Sequence, residues 1–383
     1  MSKKTIWLDG RNINRTGGTG VYHYALDLFK TLKLIGYSPA WLLESPCPTP
    51  VHSAPLRLLQ AIAARPPQIR QAFKSTWGDA YLAKDLYRIA HIHYQYHHRL
   101  LKLYPLHPPT IMHWTYPLPI IMDGCQNIVT VHDLIPLTHS HLTGIPFSRH
   151  KRLITDLIRH NVHFVTVSET VRQQMLKIFP LDSDRVTTLY QSVEFDPQTR
   201  EAMAQAPQIA PENSFIFYGR IERRKNIETL LEAHALSQTK TPLIIIGPPG
   251  DDQPDCRPRG PTSHIIRLPW SERLSLLRTL SEAKALLFPS LAEGFGLPII
   301  EAMSLGVPVL TSQEGVTKEI AGDAAFLCDP NDLSSLTAAI IQLDKLSPQA
   351  RTNRILAGEK RAIEFNTENY SQRLRKFYDC FYL

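Results

Sequence analysis

Apolar, strand-like runs alternate with helix-like segments in this chain, and the alternation starts twice. In the first half, runs such as TIWLDG at 5–10 and HFVTVSE at 163–169 are each followed by a helix-like segment. The pattern restarts with SFIFYG at 214–219 and continues through ALLFPS at 285–290. Such alternation is typical of parallel, doubly wound sheets. Because 383 residues are too many for one core, the sequence predicts an α/β protein with two Rossmann-like domains.

A polar stretch at 195–214 has the composition of an interdomain linker. We therefore predict an N-terminal domain at 1–195 and a second domain at 196–366. A helix-like segment follows at 367–383. Open α/β sheets bind their ligands at the carboxyl ends of the strands. Two facing domains of this kind form a cleft that can hold a donor on one wall and an acceptor on the other.

The charge is divided unevenly between the halves of the chain. Residues 1–200 contain 22 Lys and Arg against 13 Asp and Glu, whereas residues 201–383 contain 20 against 22. The N-terminal half is therefore expected to meet something anionic. The segments 56–74 and 147–160 mix basic with apolar residues and could lie on anionic lipid, although an ordinary surface helix is an equally good interpretation. No nucleic-acid-binding motif accompanies the charge, so nucleic acid is not expected.

The sequence predicts a cytoplasmic protein that is peripheral at the membrane. MSKK leads directly into a strand-like run with no signal peptide, and no apolar stretch is long enough to span a bilayer. The five cysteines are far apart and form no CxxC pair, which is typical of reduced thiols.

Two carboxylates stand in the stretch PSLAEGFGLPIIEAM at 289–303. It follows a buried-strand pattern at 285–288, and Pro298 is suited to the first turn of a helix. Glu293 therefore lies in a tight loop, and Glu301 lies early in the helix. Each carboxylate can accept two hydroxyl hydrogen bonds, which suits a polyol ligand. For either residue alone, a solvated Glu near a turn or helix start is the competing interpretation.

A cationic loop follows the first strand of the second domain. Gly219 and Arg220 are followed by Arg223, Arg224, Lys225 and Asn226. A basic loop beside helix N–H groups can bind a diphosphate, and a solvated basic turn is the alternative. Surface exposure is expected for Arg223 and Arg224.

Two further motifs lie in the N-terminal half. The loop TGGTG at 16–20 is glycine-rich but lacks the GxGxxG spacing of dinucleotide-binding folds. His132 and Asp133 end a strand at the same edge of the sheet; Asp133 either orients the histidine or caps the next turn.

A histidine cluster at 91–98 raises the question of a metal site. The alternation of His91 and His93 indicates one face of a strand, with His97 and His98 following. No carboxylate or cysteine completes the set, so metal binding is not expected.

Together these motifs resemble those of the retaining GT-B glycosyltransferases of family 4. The resemblance rests on E-x7-E at 293–301, G-R-x4-K-N at 219–226, the glycine loop, H-D-L at 132–134 and G-D-A-A…D-P at 322–330. It is strongest from 214 to 331. At 191–193 the chain has Gln-Ser-Val where the family often has Asn-Gly-Val.

The resemblance implies a role for each matching residue. Glu301 would hold the nucleotide ribose and Glu293 the donor sugar, while His132 would contact the sugar or the acceptor. Arg220 and Lys225 would grip the leaving diphosphate. The remaining donor-binding residues lie in two loops, namely Gly17 and Gly18 in the first and Gly294, Phe295, Gly296 and Leu297 in the second. The last helix, 367–383, would pack back on the N-terminal domain.

The implied activity is retaining transfer of a hexose from a nucleotide-diphosphate sugar to a glycolipid or polysaccharide hydroxyl. Mannose from GDP-mannose is favoured because the region 314–331 resembles mannosyltransferases, and a UDP-hexose donor stays open. No cofactor or catalytic metal is expected. A GT-B nucleotide-sugar epimerase and a non-catalytic glycan-binding or lipid-binding partner are the alternatives.

Overall fold

The chain forms two α/β domains, and the strands of each main sheet are mostly parallel. A computed structural model describes residues 4–13, 20–45, 62–63, 66–71, 75, 78–260 and 264–382. Within these residues an eight-stranded sheet belongs to the first half of the chain and a six-stranded sheet to the second. The predicted fold class, two Rossmann-like domains of the GT-B type, is confirmed.

The N-terminal sheet has the strand order β10-β9-β8-β6-β1-β2-β4-β3. Its neighbours are parallel apart from the antiparallel pair β3–β4, and β5 pairs with β7 in a separate parallel ribbon. The strands are β1 (Thr5–Asp9), β2 (Ser38–Ser45), β3 (Ile69–Gln71), β4 (Ala80–Lys84), β5 (Leu101–Leu103), β6 (Ile111–Trp114), β7 (Ile120–Met122), β8 (Gln126–Val131), β9 (His163–Thr166) and β10 (Val186–Thr188). The α-helices of this half are α1 (Gly20–Leu34), α2 (Leu86–His97), α3 (Ile135–Thr138), α4 (Phe147–Arg159) and α5 (Glu169–Ile178).

The C-terminal sheet is entirely parallel, with the order β13-β12-β11-β14-β15-β16. The strands are β11 (Phe215–Tyr218), β12 (Leu243–Ile246), β13 (Ile265–Leu268), β14 (Ala285–Phe288), β15 (Val309–Ser312) and β16 (Phe326–Cys328). The helices are α6 (Pro197–Gln205), α7 (Ile227–Leu236), α8 (Arg273–Ser281), α9 (Leu297–Ser304), α10 (Gly315–Ala321), α11 (Leu333–Asp344), α12 (Pro348–Ile363) and α13 (Thr367–Asp379). Every residue of β11, β12 and β14 is buried, which explains their uninterrupted apolar sequences.

The stretch 195–214, predicted to be an interdomain linker, contains a helix. Asp196 caps α6 by accepting a hydrogen bond from the Thr199 amide at 2.7 Å, and Pro197 occupies the first turn. Met203 is the buried residue of this helix, which contacts α8. A single buried apolar side chain in a polar segment gives no clear periodicity, so the sequence did not indicate this helix.

The basic segment 56–74, considered as an amphipathic helix, is described only in part, and of its described residues Ile62 is helical. Residues 69–71 form β3, at the edge of the sheet, and 56–61, 64–65 and 72–74 lie outside the described residues. The second basic segment is helical, as α4. None of the helices in the described ranges is both long and apolar enough to cross a membrane.

Helix α13 lies against the N-terminal domain. The Tyr37 hydroxyl donates to the Asp379 carboxylate at 2.8 Å, and the buried His113 ring is hydrogen-bonded through Nδ1 to the Tyr378 hydroxyl. The chain therefore passes between the domains twice. The two crossings are bonded to each other, because the Val193 amide donates to the Phe365 carbonyl at 2.8 Å.

Candidate active site

A cavity of about 340 Å³ lies between the carboxyl edges of the two sheets. Its N-terminal wall includes His23, His132 and Asp133, and its C-terminal wall includes the loops that follow β11 and β14. Nine predicted site residues line it, namely His132, Arg220, Lys225, Glu293, Gly294, Phe295, Gly296, Leu297 and Glu301. The other two, Gly17 and Gly18, lie outside the described residues.

The cationic loop after β11 turns Lys225 inward. A 3₁₀ turn at Arg223–Lys225 ends at Asn226, which adopts a left-handed conformation with φ of 60°. The Asn226 side chain fixes the turn by donating to the Pro330 carbonyl at 2.7 Å. As a result the Lys225 side chain is only 8% exposed. Arg220, in contrast, is exposed at the rim of the cavity.

Lys225 and Glu293 form a buried ion pair. Lys225 Nζ donates to Glu293 Oε1 at 2.5 Å, and Arg224 Nη1 donates to Glu293 Oε2 at 2.7 Å. Burial alone would raise the pKa of Glu293, but Arg224 and Lys225 outweigh it and hold this pKa at about 2. Burial lowers the pKa of Lys225, and Glu293 opposes that shift. Surface exposure of Arg224 was therefore wrongly predicted, whereas Arg223 is exposed.

Glu301 lies in a second ionic cluster that the sequence analysis did not identify. Arg273, the first residue of α8, donates from both terminal nitrogens to the two Glu301 oxygens, and the Tyr218 hydroxyl donates to Oε2. Burial opposes ionisation of Glu301, but Arg273 lowers its pKa overall. Burial also raises the pKa of Tyr218, so that its hydroxyl stays a donor. A sequence signal existed, because Arg273 starts a helix after a strand of the same sheet.

His132 is held in one tautomer. Its Nε2 lies 2.8 Å from the Thr115 carbonyl, which can only accept, so Nε2 carries the hydrogen and Nδ1 is an acceptor. Burial lowers the pKa of His132, which keeps the ring neutral. The Asp133 carboxylate accepts from the Ile135 amide at 3.1 Å, so of the two predicted roles it caps the turn.

The two domains come into close contact at Gly294. A Cβ at this position would lie 2.1 Å from the His132 carbonyl oxygen, so the loop requires glycine here. The Ser168 hydroxyl donates to the Gly294 carbonyl at 2.9 Å while it also caps α5. The loop that contains Gly294 and the loop that contains His132 are therefore fixed against each other. Gln191, also absent from the sequence predictions, is buried and lines the same cavity.

The histidine cluster lies on a helix, and the strand predicted for it was wrong. His91 and His93 belong to α2, and the His93 and His97 rings are 4.8 Å apart, one turn along the helix. His98 ends the helix and interacts with Arg152. In the part of the chain that the structure describes, no three His, Cys, Asp or Glu side chains are grouped as metal ligands.

Fold and site together define a GT-B protein, with two Rossmann-like domains and a charged cavity between them. Residues 199–361 match the family described as Glycosyl transferases group 1. This match confirms the resemblance to the glycosyltransferase family that the motifs indicate.

Named relatives agree with this assignment. O-antigen chain mannosyltransferase B of Escherichia coli is 34% identical over 220 residues, which cover 54% of this chain and 57% of the relative. O-antigen chain mannosyltransferase RfbU of Salmonella typhimurium is 27% identical over 231 residues, with 57% and 61% covered. The chain thus spans less than two thirds of the length of these curated relatives. Sucrose-phosphate synthase from Thermosynechococcus elongatus has the same fold, with a TM-score of 0.69 at 17% identity over 99% of both chains.

Proposed function

We propose that the protein is a retaining mannosyltransferase that uses GDP-mannose and transfers mannose to a hydroxyl of a glycolipid or polysaccharide. The observation that carries this proposal is the interdomain cavity, where cations and carboxylates of one domain face His132 of the other. The names of the two O-antigen mannosyltransferase relatives support mannose as the sugar.

In this proposal, the cationic loop stabilises the diphosphate as it leaves. When the bond between the anomeric carbon and the phosphate oxygen breaks, its electron pair stays on the phosphate. Arg220 at the rim and Lys225 inside the cavity would stabilise that charge. Because these cations are already in place, we expect no catalytic metal.

A front-face mechanism fits the state of the carboxylates that line the cavity. Glu222, Glu293 and Glu301 are ion-paired, and Asp133 accepts a hydrogen bond from the Ile135 amide, so each of these carboxylates already has a partner in the protein. The acceptor oxygen would then bond to the anomeric carbon on the side that the diphosphate leaves. Its proton would pass to the departing phosphate oxygen. His132 Nδ1 would accept a hydrogen bond from a sugar hydroxyl and orient the reacting groups.

Contact with an anionic membrane is part of the proposal. Residues 134–155 include no Asp or Glu. Phe147 is 44% exposed at the start of α4, and Lys151 lies over its ring at 5.5 Å. Apolar and cationic groups side by side on a helix suit an anionic lipid surface. Co-sedimentation with phosphatidylglycerol vesicles, but not with phosphatidylcholine vesicles, is the expected result.

A nucleotide-sugar panel tests the reaction. Purified protein should release GDP from GDP-mannose faster than UDP from UDP-hexoses, and NMR of the transfer product should show the donor's anomeric configuration. Lys225→Ala should lower transfer by about 10²- to 10³-fold. Lys284→Ala is the matched control, because Lys284 also pairs with a carboxylate, Asp344, at 2.5 Å but does not line the cavity.

Three results would contradict the proposal in different ways. Faster turnover of a UDP-hexose than of GDP-mannose would show that the donor is a UDP-hexose. Conversion of the nucleotide sugar to its epimer without an acceptor would identify an epimerase. Failure to bind any nucleoside diphosphate would indicate a non-catalytic partner.

A further inference from the structure

The carboxylate of Glu301 is almost fully occupied by protein donors. Arg273 Nη1 donates to Oε2 at 3.1 Å, Nη2 donates to Oε1, and the Tyr218 hydroxyl donates to Oε2. A carboxylate offers about four acceptor positions. With three taken, one is left. The Glu301 side chain is 6% exposed and the Arg273 side chain 34%, so the guanidinium itself faces the cavity that it lines.

We propose that Arg273 is a positioning residue that fixes the Glu301 carboxylate and leaves it a single acceptor position, so that Glu301 binds one ribose hydroxyl and not two. This inference rests on the proposed function, since it takes a nucleoside diphosphate as the ligand of the cavity. It assigns specificity for one hydroxyl of the pentose to a residue outside the predicted donor motifs.

Arg273 lies near carboxylates of both domains. It lines a second cavity of about 130 Å³ together with His23 and Asp27 of α1 and with Glu301. Burial raises the pKa of Asp27 to about 6, against the opposing effects of Lys30 and Arg273. Removal of the guanidinium would leave two largely buried carboxylates facing each other, and like charges in such a site disfavour ionisation.

The groups around Glu301 set the sign of the pH effect. Besides Arg273 they are Tyr218 from β11 and His23 and Asp27 from α1. Burial lowers the pKa of His23, and Arg273 lowers it further, so a neutral imidazole cannot replace the lost cation at neutral pH. In Arg273→Ala the pKa of Glu301 should rise. Nucleotide binding that needs the carboxylate should therefore weaken as the pH falls.

Calorimetric titration with three ligands tests the inference on the full chain. The ligands are GDP, or UDP if it binds more tightly, and its 2′-deoxy and 3′-deoxy forms. For the unaltered protein, one deoxynucleotide should bind about tenfold more weakly or worse, which is the loss of one hydrogen bond to a charged group. The other deoxynucleotide should bind within about twofold of the parent. Equal losses for both would overturn the inference.

Variants separate positioning from a structural role. Arg273→Ala should bind the parent nucleotide more weakly at pH about 6 than at pH about 8, whereas pH-independent binding would contradict the inference. Arg278→Ala is the control, because Arg278 lies on the same helix and pairs with Glu282 at 3.1 Å but lines neither cavity. It should behave as the unaltered protein.

Tyr218→Phe provides a second variant that keeps the ion pair. It frees one acceptor position on Glu301, so the deoxynucleotide that bound normally should now bind more weakly than the parent. Unchanged discrimination in this variant would overturn the count of acceptor positions. A wild-type protein that binds no nucleoside diphosphate would instead refute the proposed function.

Discussion

Replacement of Glu293 by Gln keeps the shape of the side chain but removes its charge. In the native protein this carboxylate is 7% exposed and accepts hydrogen bonds from Lys225 and Arg224. The variant would leave two poorly solvated cations with one fewer anion to offset them. We expect a folded but destabilised protein, because Glu222 still pairs with Arg224 at 2.7 Å.

The magnitude follows from the pKa of Glu293, which the two cations hold at about 2 against an ordinary value of 4.5. At about 1.4 kcal/mol for each pKa unit, the ionised carboxylate contributes about 3 kcal/mol to the free energy of unfolding at neutral pH. Because the pKa is lower in the folded state, this contribution is complete above pH of about 4.5. It falls by about 1.4 kcal/mol for each further unit of acidification until the pH reaches about 2.

Urea unfolding followed by tryptophan fluorescence measures both effects. Glu293→Gln should be less stable by about 3 kcal/mol at pH about 7, and the difference from the unaltered protein should narrow between pH about 5 and pH about 3.5. Glu282→Gln is the control, because the Glu282 side chain is 34% exposed and its pair with Arg278 should contribute less than about 1 kcal/mol. Equal stability of Glu293→Gln and the unaltered protein at neutral pH would refute the reasoning, as would a difference that does not change with pH.

Two further substitutions test contacts between elements. Gly294→Ala should abolish most transferase activity, because the new Cβ would lie 2.1 Å from the His132 carbonyl oxygen; Gly144→Ala, with no atom within 4 Å, should leave activity unchanged in the same assay. Tyr378→Phe should lower the free energy of unfolding by about 1–3 kcal/mol, since the buried His113 loses its Nδ1 partner. A urea midpoint equal to that of the unaltered protein would count against this explanation of how α13 is held.

The sequence predicted those features of the site that depend on which residues directly follow each strand. Glu293 and Glu301 follow one strand, and Arg220 and Lys225 follow another, so the rule that ligands bind at the carboxyl edge was sufficient to bring them together. The same reasoning predicted that His132 would lie at this edge of the other sheet. Each of these residues lines the interdomain cavity.

Partners brought together by strand order were not predictable in the same way. Tyr218 and Glu301 are 83 residues apart and meet because β11 and β14 are neighbours in the sheet. Arg273 follows β13, at the end of the sheet order, and reaches Glu301 through its long side chain. Strand-like runs do not reveal their order in a sheet. The prediction of a strand for the histidines of α2 was wrong for a different reason. Alternating residues over a few positions fit either a strand or a helix.

The two crossings between the domains are bonded to each other, and they would be the axis of any movement of one domain relative to the other. The Val193–Phe365 bond and the bond from the Thr367 amide to Glu194, at 2.9 Å, tie both connections at one place. The smaller cavity touches this place and also Glu301. Any swing of one domain about this axis would move the neighbourhood of Glu301 least and the distant mouth most. The nucleoside of a bound donor would therefore keep its contacts near Glu301. The distant mouth of the cavity would open to admit an acceptor and close around it.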